Sequence, residues 1–171
     1  MVKQTVRLSG ITPQSLVNGP GLRKVYFAQG CKHHCKDCFN PETWSFQGGR
    51  IWDVDQLVKE IKEETYLEGV TFSGGDPVEQ AEGFATLGQK LKQQGFNIWC
   101  YTGYTWEELM KKSAADKNLM NLLKTIDVIV DGKYVNTLHS HSHKYRGSSN
   151  QRLINVAASL KAKKAVEFKL V

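Results

Sequence analysis

Three cysteines, Cys31, Cys35 and Cys38, fall within eight consecutive positions of the stretch GCKHHCKDCFNPETW, residues 30 to 44; the fourth cysteine, Cys100, lies far along the chain. Thiolates this close together hold metal or exchange electrons. Zinc is one occupant: a closed structural zinc site takes four ligands, and His33 or His34 is available as the fourth. An iron–sulfur cube is the other. Its usual complement is four thiolates, one per iron, so three leave one iron with an open coordination position. An open position suits catalysis and is what a structural site avoids. A Cys35–Cys38 redox pair is a third option. Cys100 is available to close the set, but it sits in FNIWCYT, where strand alternation turns it toward the core. Spacing alone leaves zinc and iron–sulfur level.

The elements that must position this loop show an alternating pattern. LRKVYFAQG (22 to 30), GVTFS (69 to 73), FNIWCYT (96 to 102) and DVIVDG (127 to 132) read as strands. Between them, Asp53 and Gln56 cap a helix carrying Val54, Leu57, Val58 and Ile61. A second helix shows Phe84, Leu87 and Leu91 and ends at Gly95. Thr105 and Glu108 open a third helical region that runs to about Thr125. Residues 134 to 150 read as a loop, and AVEFKLV as a last strand. Strands alternating with helices imply right-handed βαβ units.

Polar signatures then converge. Cys31 follows the first strand, Ser73-Gly74-Gly75-Asp76-Pro77 the second, Thr102-Gly103 the third, and Asp131-Gly132-Lys133 ends the fourth. Chemistry in parallel α/β folds gathers at the carboxyl ends of the strands. A full eight-unit barrel takes roughly 250 residues, more than the 171 here. The expected fold is therefore α/β, a partial, open (β/α) barrel with a mostly parallel sheet, in a single domain spanning 1 to 171. Gly74 and Gly75 expose backbone polar groups to a ligand, and Asp76 adds a carboxylate for an ammonium group. Such a rim suits a small zwitterion beside an open metal.

Composition narrows the class. Hydrophobic residues make up 40% and charged residues 23%, ordinary for a soluble globular protein. No apolar run approaches the 18 or so residues of a membrane span. MVKQTVRLSG lacks the apolar core of a secretory signal, so a reducing cytoplasm is the expected location. The net charge of +6 is spread along the chain. It suits an acidic protein partner or a merely basic surface; nucleic acid is disfavoured, because no aromatic-plus-basic stripe is present.

On these residues, Cys31-x3-Cys35-x2-Cys38 resembles the cluster motif of the radical S-adenosyl-L-methionine enzymes. The closer resemblance is to the activating proteins of anaerobic ribonucleoside-triphosphate reductase. It is carried by NGPGLR (18 to 23), QGCKHHCKDCFNPETW (29 to 44), SGGDP (73 to 77), YTGYTWEEL (101 to 109), DGKY (131 to 134) and RGSSNQR (146 to 152), in order. Three features depart from the pattern. Asp37 precedes the third cysteine where an aromatic is common, with Phe39 just after it. LHSHSH (138 to 143) places His139, His141 and His143 at alternate positions, and KAKK (161 to 164) forms a basic tail.

The resemblance implies a 4Fe-4S cluster on Cys31, Cys35 and Cys38, with S-adenosyl-L-methionine chelating the open iron. Gly74, Gly75 and Asp76 would hold its amino end, and Asp37, Cys38 and Phe39 would line its adenosine side. Thr102, Asp131 and Lys133 would serve the ribose or carboxylate. The implied activity is reductive cleavage of the cofactor to a 5′-deoxyadenosyl radical, which makes a glycyl radical on the large reductase subunit. Lys32 and Lys36 would dock an acidic electron carrier such as flavodoxin. Arg23 is expected to pair with a nearby acid; Ser148, Ser149 and Asn150 to bind cofactor or cap a helix. The rivals are activation of another glycyl-radical enzyme, such as pyruvate formate-lyase, and a zinc-stabilised basic nucleic-acid-binding module.

Overall fold

In the computed structural model, which describes residues 3–139 and 141–170, seven strands form one sheet. They are β1 (Thr5–Ser15), β2 (Arg23–Ala28), β3 (Arg50–Asp53), β4 (Gly69–Gly74), β5 (Asn97–Tyr101), β6 (Val128–Asp131) and β7 (Arg152–Asn155). The helices are α1 (Val54–Ile61), α2 (Ala81–Gln93), α3 (Trp106–Ser113), α4 (Lys117–Leu123) and α5 (Val156–Ala162). The sheet order is β3-β1-β2-β4-β5-β6-β7. β2, β4, β5 and β6 pair in parallel, while the β1–β2, β1–β3 and β6–β7 pairings are antiparallel. Five strands thus share one direction, and β3 and β7 leave the sheet open at its edges.

The four parallel strands are those expected from the sequence, and the reason is their burial. Tyr26, Val70, Phe72, Ile98, Cys100 and Ile129 point to one face and pack with Leu57, Ile61, Phe84, Leu87, Leu91 and Leu122 of the helices. On the other face Trp99, Val128, Val130 and Leu153 form a smaller cluster, covered by Tyr101, Tyr145 and Phe168. The expected caps also form. The Asp53 side chain accepts from the Asp55 N–H, and Thr105 accepts from Glu108. Gln56 does not complete a box; its amide bonds Glu60 instead.

Four differences follow from competing local chemistry. The region expected to run unbroken to Thr125 is two helices, because Asp116 caps α4 by accepting from the Leu119 N–H. β1 and β3 were not expected. β1 carries register shifts on either side of its central stretch, and β3 has four residues, two of them exposed. The stretch after 150 holds β7 and α5, with Asn155 capping the helix through Ala158. AVEFKLV forms no strand over its described part: it contributes a bridge from Glu167 to Ile154 and two hydrogen bonds, Asn155 N to Val166 O and Phe168 N to Leu153 O. Val171, at its end, and Ser140, within the histidine run, lie outside the described residues.

Candidate metal centre

At the carboxyl ends of β2, β4, β5 and β6, one cleft is lined by Cys31, Cys35, Cys38, Thr43, Trp44, Gly74, Gly75, Thr102 and Gly132, among others. The cysteine loop enters it from β2 and is tied down at both ends. Gly30 N donates to Thr43 O (2.7 Å) and Cys31 N to Trp44 O (3.2 Å). The Gln29 amide donates to Glu42 O and Ser45 O, and a 3-10 turn, Pro41–Thr43, closes the loop.

Backbone N–H groups surround the sulfurs. Burial pushes the Cys31 thiol up to about 11, opposed by hydrogen bonds from the His33 and His34 N–H groups. Burial likewise raises Cys35, opposed by the Tyr134 N–H. Cys38 Sγ accepts from Asn40 N at 3.4 Å. Such donors stabilise thiolate and tune cluster potential.

Three thiols line the cleft, the number that leaves one iron of a cube open. Cys100 is buried in the core on the helix face of β5 and leaves no fourth thiol in the cleft. Among the described residues, no three His, Cys, Asp or Glu side chains come together around a point suited to one metal ion. The histidines that a zinc site needs are engaged elsewhere: His33 Nε2 bonds Asp76 at 2.8 Å, and the His34 ring stacks on Trp44 at 4.5 Å.

Two expected ligand-binding acids have other work. The Asp76 carboxylate is fully buried. Its Oδ2 accepts from His33 Nε2, Thr102 Oγ1 (2.9 Å) and Gly103 N (3.0 Å), and its Oδ1 accepts from Val78 N. With four donors satisfied inside the protein, it is not offered to a ligand's ammonium group. The Thr102 hydroxyl is committed too, donating to Asp76 and accepting from Tyr104 N. Asp131 accepts from Trp106 N and from the Arg152 N–H, Nε and Nη2, the last at 2.6 Å. It is a buried anchor of α3 and β7, and it lines a groove with Glu107, Lys133 and Arg152 and not the cysteine cleft.

Asp131→Asn is accordingly expected to lower stability by about 1–2 kcal/mol, because a buried acceptor facing a guanidinium is lost. Thermal melting checks this, and an unchanged melting temperature overturns the anchoring role.

The remaining expected residues lie around the cleft or away from it. Lys133 lines an adjoining groove with Cys35, Lys36 and Asp37. Asp37 is exposed at φ 59°. Phe39 is 64% exposed, with its ring 4.7 Å from that of Tyr134. Lys32 pairs with Glu79. Among the described residues, Arg23 pairs with no acid. It is buried with its guanidinium on Thr71 Oγ1, Asn97 Oδ1 and the carbonyls of Pro20, Val70 and Asn97, and burial lowers its pKa to about 10. Ser148 and Asn150 hold the segment after β6, through Val135 N and Lys133 O. His139 Nε2 lies 3.2 Å from His141 Nε2, outside the cleft.

Gln29, Trp44 and Tyr134 stand in the stretches QGCKHHCKDCFNPETW and DGKY with no role expected of them individually, and His33 was expected only as a fourth zinc ligand.

The comparisons with known proteins agree with this chemistry. A family model described as a 4Fe-4S single cluster domain matches residues 17–154. The anaerobic ribonucleoside-triphosphate reductase-activating protein of Enterobacteria phage T4 is 37% identical over 150 residues, 84% of this chain and 90% of that protein. Proteins of the same name from Haemophilus influenzae and Escherichia coli (strain K12) are 35% and 36% identical over 147 residues; each covers 81% of this chain, with 91% and 92% of their own lengths. Among solved structures, QueE from Escherichia coli overlaps 60% of this chain and 54% of its own, with 18% identity and a TM-score of 0.45. The match to the cluster-domain model embraces the cysteine loop and the other three rim segments, and the identity extends over most of both chains, so this chain belongs to the 4Fe-4S single cluster domain family and to the anaerobic ribonucleoside-triphosphate reductase-activating proteins.

Proposed function

We propose that this chain is an activating enzyme that makes a glycyl radical on the large subunit of an anaerobic ribonucleoside-triphosphate reductase. The observation that carries the reading is the rim cleft with three cysteines and no fourth. When bound, a 4Fe-4S cluster supplies the electron that splits S-adenosyl-L-methionine into methionine and a 5′-deoxyadenosyl radical, which takes a hydrogen from a glycine α-carbon of the partner.

The chain's own residues hold and orient. Cys31, Cys35 and Cys38 would hold three of the irons, and the main-chain N–H groups directed at their sulfurs would temper the negative charge. Gly74 and Gly75 line the same cleft as Cys31, so the amino end of the cofactor would be met there by backbone rather than by Asp76. Asp37 and Phe39 stand on the adenosine side. Lys36 and Lys133 flank Cys35 and give an acidic electron carrier such as flavodoxin a place to dock. The helices lie on one face of the sheet, and we read the opposite, partly covered face as the inside of a partial barrel, open to a protein loop. The whole chain, 1 to 171, acts as one domain in this reading. No helix among the described residues is long and apolar enough to cross a membrane, in keeping with work in the cytoplasm.

Anaerobic purification should give a brown protein with iron and sulfide in equal amounts. Mixed with S-adenosyl-L-methionine, a reductant and the large reductase subunit, it should produce the doublet of a glycyl radical in electron paramagnetic resonance. Zinc alone in the preparation, or a radical on pyruvate formate-lyase and none on the nucleotide reductase, overturns the proposal.

A further inference from the structure

One side chain in the cysteine loop reaches out of it to the rim of the sheet. The His33 side chain is 6% exposed, and its Nε2 bonds the fully buried Asp76 Oδ2 at 2.8 Å. The same oxygen accepts from Thr102 and Gly103, beyond β5, and the other from Val78, beyond β4. Three rim segments therefore meet at one carboxylate. The His33 ring is also boxed in. It stands edge-on to Tyr104 at 4.5 Å, and a Cβ on Gly103 would come within 2.5 Å of it. Meanwhile the His33 main-chain N–H points at the sulfur of Cys31. One residue thus joins the rim directly to a proposed cluster thiolate.

We infer that His33 and Asp76 are a positioning pair that fixes the cysteine loop against the ends of β4 and β5 and so sets the direction in which the open iron corner faces. The inference rests on the cluster reading above. The loop needs such a restraint, because His34 and Asp37 both hold left-handed backbone, at φ 49° and 59°. Non-glycine residues stay there only when their surroundings over-determine the conformation. A carboxylate with four donors is a fixed point: moving it leaves a buried charge unsatisfied. Groups that orient metal ligands from behind typically change affinity or activity by about 10- to 100-fold when removed.

The test compares His33→Leu, which fills the space without a donor, with His33→Gln, whose Nε2 reaches about as far as that of histidine. In the cluster-free protein, hydrogen exchange of amides 31 to 38 should quicken about tenfold or more in His33→Leu and return toward wild type in His33→Gln. In the reconstituted protein, His33→Leu should assemble the cluster, bind S-adenosyl-L-methionine about tenfold or more weakly, and lose most of the change that the cofactor makes in the resonance spectrum of the reduced cluster. His33→Gln should recover both. Wild-type exchange and spectra in His33→Leu, or no recovery in His33→Gln, overturn the inference. Should His33→Leu fail to fold, Asp76→Asn decides. It keeps the cap on Val78 and turns an amide toward the other three donors, so loop exchange must quicken. The exchange measurement needs neither cluster nor activity, so failure of the proposed function and failure of the positioning pair are told apart.

Discussion

Cys31→Ala should leave a folded protein that cannot hold the cluster and cleaves S-adenosyl-L-methionine no faster than background. This position is anchored through its main chain; the thiol itself only accepts from the His33 and His34 N–H groups. Cys31 N donates to Trp44 O, and its neighbour Gly30 both donates to Thr43 O and accepts from Asp76 N. Alanine keeps every one of these main-chain contacts. What disappears is a largely buried thiol, whose packing is worth about 1 kcal/mol. For a chain of this size that is a fall of roughly 2–4 °C in melting temperature. The comparison must be between cluster-free proteins, since a bound cluster adds its own stabilisation. Two thiolates cannot hold three corners of a cube, so iron content and the visible spectrum should collapse even though the fold persists. Cys100→Ala supplies the contrast: it loses core packing and keeps the cluster, because its sulfur lies among Phe72, Ile98 and Ile129 and not in the cleft. Complete unfolding of Cys31→Ala would mean that the thiol serves a structural metal, and full activity would mean that Cys31 is no ligand.

The parallel core was legible because burial on both faces writes itself as an unbroken apolar run. VYFA, GVTF, NIWCY and VIV each have this character, and helices between them carry side-chain caps at Asp53 and Thr105. The edges lacked that signature. β1 buries Val6 and Leu8, yet shifts register beyond Leu8, so its alternation breaks where a reader would look for it. β3 and β7 have four residues each and owe their pairing to neighbours that are distant in sequence. AVEFKLV misled for the opposite reason. Val166 and Phe168 do bind the end of the sheet, through β7, and Val166 also bonds Ser159 of α5, but with the sheet they form only a bridge and two main-chain hydrogen bonds over the described residues.

In the site, thiol spacing and the strand-end rule brought Cys31, Cys35, Cys38, Gly74, Gly75 and Thr102 to one cleft. Acid identity misled. Asp76 and Asp131 were read as ligand binders because they stand at strand ends, yet each is saturated by donors from elsewhere in the chain. One local signal did exist for Asp76. An Asp directly before Pro is a common N-cap arrangement, and Asp76 caps the 3-10 turn Pro77–Gln80 through Val78. For Asp131 there was none, since its partners lie about two dozen residues away on either side. Arg23 was read as half of an ion pair, but neutral oxygens from the turn before β2 and from β4 and β5 surround it. A list of residue types does not reveal backbone carbonyls as the partners of a charge.

Gly75→Ala is the second large effect expected, and it separates a ligand-approach glycine from a packing glycine. Gly75 N donates to Ala28 O at 2.8 Å, and Asp76 N donates to Gly30 O at 2.8 Å, so the turn after β4 lies directly on the root of the cysteine loop. A Cβ at residue 75 would sit 2.4 Å from Gly30 O and 2.9 Å from Thr43 O. Both atoms are main chain and cannot swing aside as a side chain would. Relief requires the loop to retreat by about 1 Å to reach ordinary contact, which strains the two hydrogen bonds that hold it. Overpacking of this kind costs about 2–3 kcal/mol, roughly 5–10 °C in melting temperature. The same displacement carries Cys31 away from Cys35 and Cys38, and a misplacement of that size lowers a reaction by about 10²-fold. Gly10→Ala is the control. No atom lies within 4 Å of a Cβ there, so melting and cofactor cleavage should both stay at wild type. If Gly75→Ala melts like wild type but binds S-adenosyl-L-methionine poorly, the glycine serves the ligand and not the loop. If it also retains cleavage, the close approach of β4 to the loop has no part in holding the cluster.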